Sequence, residues 1–199
     1  MNAPRLAVFG YASLVSPESA SETLSRPIAD GTPARLDGWR RRWSAARDNL
    51  ASEKTFARRE DESLPSRILG LNVEPSATAD EAPNGLLLEV SEPELRRLDM
   101  REMRYDRVEV TGAIRVPNGA TAGFDRVFTY RVKPAHFAPV CPPGAVVIGA
   151  YTARVEAAFA ALGDEQLRLY RATTGPPPVE VIDAVLVRDR IRPGNPREW

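Results

Sequence analysis

Residues 91–105, SEPELRRLDMREMRY, constrain the fold more than any other stretch. Ser91 followed three residues later by Glu94 forms a capping box, and Pro93 fits only the first turn of a helix. Leu95, Leu98 and Glu102 then fall at i, i+3 and i+7, so one helical face carries all three. Leu95 and Leu98 mark that face as inward, and Arg96, Arg97, Arg101 and Arg104 are assigned to the solvent side. Glu102 is therefore aimed at or beside the core. A carboxylate there loses hydration, which favours its protonated form unless something pairs with it. Such a group can serve as a general acid or base near neutral pH. The bland alternative ends the helix at Arg101 and leaves Glu102 bonded to a nearby arginine or an orphan backbone amide. The helix by itself leaves both readings open.

A chain of 199 residues suits one domain with a real core, here taken as residues 1–199 with an extended tail from about 188. Lys plus Arg and Asp plus Glu balance at 27 each, so no bulk charge draws the chain to nucleic acid or an acidic membrane. The single cysteine, Cys141, excludes an internal disulfide and fits a reducing cytoplasm, the expected location. No Cys and His cluster has metal-ligand spacing, so no metal is expected. The lone His136 has no nucleophile beside it, and neither it nor Cys141 is assigned a role. The apolar run after Arg5 is interrupted too early for a signal peptide, and no stretch is long enough to span a bilayer.

Along the chain, RLAVF at 5–9 reads as a buried strand running into the loop GYASLVSP, followed by weakly helical 18–24. Residues 34–45, ARLDGWRRRWSA, suggest a strand, or two strands joined at Asp37-Gly38, with Trp39 and Trp43 on one face. The three arginines between those tryptophans are read as the open face of an antiparallel sheet, not as a nucleic-acid stripe. The charged stretch 49–66 reads as a solvated loop or insertion. Strands follow at 67–73 and 86–90, the second leading straight into the capped helix. Alternation marks 105–116, with Val108, Val110 and Ala113 inward, and Pro117-Asn118-Gly119 starts a turn. Residues 126–132 form the next strand. Residues 146–162 read as a second long helix with Ile148, Thr152, Val155, Phe159 and Leu162 on a face. Residues 167–171 add a short turn, 179–187 a last strand, and the rest a tail. Many short strands with two or three helices make an α+β domain around a mixed sheet or barrel.

Two stretches together resemble a known family. FGYASLV at 9–15 is similar to the Tyr-Gly-Ser-Leu signature of the gamma-glutamylcyclotransferase superfamily. LDMREMRY at 98–105 resembles the Leu-Asp-x-x-Glu segment that carries that family's catalytic glutamate. The Arg before the Glu and the Phe heading the first motif lean toward the ChaC-like branch. ARLDGWRRRW echoes a second-strand pattern, and Tyr151 begins a late helix as in the family. The resemblance implies a small mixed β-barrel with flanking helices and a cavity between the first loop and the Glu-bearing helix. It implies that Gly10, Tyr11, Ala12, Ser13 and Leu14 bind the glutamyl end of a small gamma-glutamyl substrate, with Tyr105 and Tyr151 as further contacts and Glu102 as acid/base. Neither cofactor, nucleic acid nor membrane is implied, and a homodimer is the candidate assembly.

One departure stands out, since Ala12 replaces the usual Gly. If that position needs φ > 0, Ala costs about 1 kcal/mol or more; if φ is negative, it only narrows the pocket by a methyl. The implied reaction cyclises the gamma-glutamyl group to 5-oxoproline, the α-amine attacking its own γ-carbonyl. Both reacting groups lie in one molecule, so the task is to fold the substrate and move a proton. Asp99 is expected to bond a backbone amide or an arginine. Alternatives are a same-fold enzyme acting on a gamma-glutamyl-amine or a pathway-specific adduct, and a binding or regulatory protein with the same cavity.

Overall fold

The computed structural model describes residues 4–28, 31–117 and 123–196. At its centre β1 (Leu6–Gly10) is buried along its whole length. It pairs antiparallel with β6 (Asn84–Val90), Gly10 opposite Leu86, and parallel with β9 (Arg126–Val132). A strand flanked on both sides and packed on both faces has no room for polar side chains, which is why LAVFG is a continuous apolar run.

Around it stand β2 (Thr32–Leu36), β7 (Tyr105–Glu109) and β8 (Ile114–Arg115), giving a six-stranded sheet in the order β7-β9-β1-β6-β2-β8. A second sheet, β11-β10-β5-β3, is built from β3 (Trp39–Asp48), β5 (Arg67–Pro75), β10 (Ala145–Ile148) and β11 (Val181–Ile182). The sheets meet where β9 passes β5: the Val132 amide donates to Asn72 Oδ1 at 2.8 Å and the Tyr105 hydroxyl to the Leu71 carbonyl at 3.0 Å. They curl into a half-barrel, as the α+β barrel reading expects. Asp37-Gly38, with Gly38 at φ +75°, turns the chain from β2 into β3; the two strands enter different sheets and make no hairpin.

Among the described residues four α-helices flank the strands: α1 (Pro17–Leu24), α2 (Glu92–Arg101), α3 (Gly149–Ala161) and α4 (Asp164–Thr174). The start of α2 follows the sequence signal, Glu94 accepting from the Ser91 amide at 2.7 Å and its hydroxyl at 2.8 Å. Phe159 of α3 stacks on Tyr170 of α4 at 4.5 Å. Among the described residues no helix is long and apolar enough to cross a membrane.

Several expectations need correction. The stretch 146–162 is not all helix, because Ala145–Ile148 is β10, parallel to β5; an apolar run of four cannot distinguish the two by period. The short turn at 167–171 is the middle of α4. The stretch 179–187 divides between β11 and β12 (Ala184–Asp189). The charged stretch 49–66 contains β4 (Lys54–Arg58), which pairs antiparallel with β12 as a separate two-stranded ribbon. That pairing takes the strand past the point where a tail was expected to begin. The turn assigned to 117–119 lies mostly outside the described residues.

The arginines between the tryptophans do not all face solvent. Arg41 alternates with Trp39 and Trp43 onto one face and is only 2% exposed. Its guanidinium sits 5.1 Å from the Phe159 ring and 4.9 Å from the Tyr170 ring, and Nη1 donates to Thr174 Oγ1 at 2.9 Å. Burial lowers its pKa to about 10, so it stays charged at neutral pH while clamping α3 and α4 to the sheet.

Candidate functional site

Chain geometry at the end of β1 depends on two glycines. A Cβ on Gly10 would come within 2.9 Å of the Leu14 Cβ, and one on Gly85 within 2.2 Å of the Gly10 carbonyl oxygen. With both side chains absent, β6 lies tight against β1 and the chain folds back into the short 3₁₀ turn Ser13–Val15. Ala12 precedes that turn at φ −141°. Its φ is negative, so the backbone makes no demand for glycine and the alanine adds only its methyl.

The helix α2 ends at Arg101, and Glu102 is the residue that closes it, its amide donating to the Leu98 carbonyl at 2.8 Å. Glu102 thus lies one residue beyond the helix, not on its face, with its side chain 12% exposed. It pairs with Arg101, whose Nε lies 3.1 Å from Oε1. The two alternatives drawn from sequence are therefore combined: the helix stops where the bland reading put it, and the carboxylate still turns inward.

Arg101 was assigned to solvent and is instead 6% exposed. Its Nη2 donates to Ser13 Oγ at 3.1 Å and to Ser19 Oγ at 2.7 Å, and Nη1 to the Ser19 carbonyl at 3.0 Å and to Thr23 Oγ1. Hydroxyls and a carbonyl at the start of α1 replace the water this guanidinium gives up. One side chain consequently ties the loop after β1, the first turns of α1 and Glu102 together. Arg104, also assigned to solvent, is 12% exposed at its side chain and pairs with Glu53.

The loop from Gly10 to Leu14, Glu102, Tyr105 and Tyr151 all line one cavity of ≈ 260 Å³. Three tyrosines build part of its wall through hydroxyls that are already engaged. Tyr11 donates to the Tyr130 carbonyl at 2.8 Å, Tyr130 to Asp99 Oδ1 at 2.8 Å, and Tyr105 to the Leu71 carbonyl at 3.0 Å. Asp99 also faces Arg107 at 3.5 Å, the arginine partner expected of it. Tyr151 meets Trp43 edge to face at 6.2 Å. Burial raises the pKa of Tyr11, Tyr130 and Tyr151, and the nearby Glu102 charge adds to each shift. These phenols remain protonated across the physiological range and act as donors.

Other lining residues carried no signal in the sequence reading. His136, from the turn after β9, lines the cavity; burial, then Arg104 and Lys133, hold its pKa below the ordinary histidine value. Lys54 and Phe56 reach the wall from β4 and Glu53 from just before it, in a stretch whose charge and scarcity of large apolar residues read as loop. Arg101 had a legible signal, since i+3 from Leu98 puts it on the inward side of α2. Among the described residues no three His, Cys, Asp or Glu side chains converge as a metal ion would require.

No family model and no curated protein matches the chain. Among solved structures, a gamma-glutamyl cyclotransferase is similar with TM-score 0.57 at 13% identity, over 89% of this chain and 93% of that one. A glutathione-specific gamma-glutamyl cyclotransferase from yeast gives TM-score 0.52 at 15% identity, over 86% and 96%. YkqA from Bacillus subtilis gives 0.53 at 16% identity, over 85% of this chain and 54% of its own. The chain has the gamma-glutamylcyclotransferase-like fold, the one the two sequence motifs resemble.

Proposed function

We propose that the protein is a gamma-glutamylcyclotransferase-like enzyme that converts the gamma-glutamyl group of a small substrate to 5-oxoproline and releases an amine, amino acid or dipeptide. The observation that carries the reading is that the Glu102 carboxylate, mostly buried, lines the same cavity as the Gly10–Leu14 loop.

In this reading the substrate's α-amine gives up a proton to Glu102 and attacks the γ-carbonyl, forming the ring C–N bond. Collapse of the tetrahedral intermediate breaks the original γ-amide bond, and Glu102 returns the proton to the departing nitrogen. Nothing is oxidised or reduced. Loop amides and the Ser13 hydroxyl receive the α-carboxylate or the developing oxyanion, with small side chains at Gly10, Ala12 and Ser13 allowing close approach. Arg101 holds Ser13 and Glu102 in one geometry, so that binding and proton transfer share a frame. Tyr105 and Tyr151 shape the wall around the folded substrate. The single cysteine is compatible with a cytosolic setting for this chemistry.

The test is release of 5-oxoproline by the purified protein from glutathione, gamma-glutamyl amino acids and gamma-glutamyl-amines. Turnover of at least one compound, lost on substitution of Glu102, is the expected result. Absence of release from all three classes, with the protein folded and able to bind one of them, would make it a binding protein with this cavity.

A further inference from the structure

Part of the cavity wall is a small apolar cluster distinct from the main core. Ile68, Val146, Ile148 and Ile182 are its buried members, with Phe56 and Tyr151 packed against them. Of these, Phe56 of β4, Ile68 of β5, Ile148 at the end of β10 and Tyr151 of α3 line the cavity. Two cations beside this wall are already engaged. Arg47 donates to the Lys54 carbonyl at 2.7 Å with its guanidinium 5.2 Å from the Phe56 ring, and Lys54 pairs with Asp189 at 3.3 Å. Phe56, Ile68 and Ile148 themselves offer a ligand only carbon surface.

Strand β5 sets how far this wall lies from Glu102. Tyr105, three residues after Glu102, donates its hydroxyl hydrogen to the Leu71 carbonyl. Ile68 stands three residues back along the strand, about 10 Å away at roughly 3.3 Å per residue. Side chains alternate along a strand, so Gly70 shares the face of Ile68, and it lies opposite Ala45 of β3. A Cβ on Gly70 would stand 3.7 Å from the Tyr105 hydroxyl oxygen and 4.0 Å from the Ala45 Cβ, and Gly70 has no left-handed φ. Neither backbone nor crowding therefore calls for glycine here. Its missing side chain keeps open the strip of cavity that runs from Tyr105 past Ala45 to Ile68.

Resting on the cyclotransferase reading, which holds the glutamyl end at the Gly10–Leu14 loop and Glu102, we infer that this apolar wall reads the leaving half of the substrate. It selects a leaving amine that bears an aliphatic side chain, which passes over Gly70 and rests against Phe56, Ile68 and Ile148. Each methylene buried there raises kcat/KM about fourfold. A polar side chain of the same shape gives up its water and finds no partner on those three residues. At ≈ 260 Å³ the cavity falls just under the range of about 300–1,000 Å³ usual for drug-sized ligands, which fits one short side chain and not a long one.

The experiment measures 5-oxoproline release from gamma-glutamylleucine, gamma-glutamylglycine and gamma-glutamylasparagine, which share the acyl half and release an α-amino acid. Leucine and asparagine side chains have nearly the same shape and differ in polarity. Wild type should turn over the leucine compound with kcat/KM about tenfold or more above either of the others. Gly70→Val fills the strip with branched carbon and should bring the leucine-to-glycine ratio toward one. Gly70→Ala adds a methyl that meets only ordinary contacts, so it decides the matter if the valine variant fails to fold; it should lower the same ratio by about threefold. A leucine compound no better than either of the others in wild type, or a ratio unchanged in the folded Gly70 variants, overturns the inference and leaves the cyclotransferase reading intact. Release from none of the three, nor from glutathione, overturns both.

Discussion

Arg101 lies with Nε 3.1 Å from the Glu102 carboxylate and Nη2 3.1 Å from the Ser13 hydroxyl, so one buried guanidinium spans the two halves of the candidate site. Arg101→Lys keeps the charge but cannot reach Glu102, Ser13 and Ser19 together, because an ammonium lacks the planar fork. We expect kcat to fall more than tenfold with stability only partly reduced. Arg101→Met removes the charge and leaves Glu102 buried without its partner, a class of change that costs about 3–5 kcal/mol. Turnover and urea midpoints on both variants test this; full activity in Arg101→Lys would show that the fork does not position the site.

Gly85 gives a second prediction. A methyl placed there lies 2.2 Å from the Gly10 carbonyl oxygen and 2.8 Å from the Phe9 ring, so β6 or the loop must shift. Overpacking of this kind costs about 1–3 kcal/mol. Gly85→Ala should lower the thermal midpoint and also weaken substrate binding, because the displaced atoms belong to the strand that ends in the Tyr11–Leu14 loop. A rise in KM without loss of stability would place the strain in the loop alone.

What the sequence made legible was local. The capping box, the β1 run into its small-residue loop and the strand alternation at 126–132 all rest on neighbours within a few positions. What escaped depended on partners far along the chain. Arg101 stands three residues after Leu98, on the inward side, but burying its charge is credible only once the hydroxyls that receive it are seen, and Ser13, Ser19 and Thr23 belong to a different helix and its leading loop. β4 looked like loop because its pairing strand is more than a hundred residues away at β12. Arg41 alternates with two tryptophans, a pattern that puts it inward, but burial of its guanidinium is credible only once the stacked rings of Phe159 and Tyr170 are seen packed against it. The Ala12 question needed a torsion angle, which no residue name supplies.

Acid should loosen the turn that leads into the ribbon. Asp48 accepts from the Ala51 and Leu50 amides and pairs with Arg67, which hold its pKa below the usual aspartate value of 3.8. A carboxylate whose folded pKa is depressed stabilises the fold fully above its unfolded value and loses that contribution as pH falls through the folded one. Asp48→Ala should therefore have a lower urea midpoint than wild type at neutral pH, with the gap closing below pH 3.8. A gap that stays constant with pH would assign the effect to lost hydrogen bonding in the neutral form.

The last prediction separates chemistry from structure at Glu102. Glu102→Gln keeps size and an oxygen acceptor for Arg101 Nε, and Arg101 retains its bonds to Ser13, Ser19 and Thr23. Stability should therefore change little. The amide cannot take a proton from the substrate's α-amine, and losing one positioned acid/base typically costs about two to four orders of magnitude in rate. Function and stability should move apart. A purely structural role for the ion pair demands the reverse, with activity falling only as the folded fraction falls. Glu102→Ala supplies the contrast, since it removes the acceptor for Arg101 Nε along with the charge and should destabilise more than Glu102→Gln does. Measuring 5-oxoproline release beside the urea midpoint for wild type and both variants decides the question. Near-normal turnover in a folded Glu102→Gln protein would remove Glu102 from the reaction and leave the Arg101 pair as a strut of the fold.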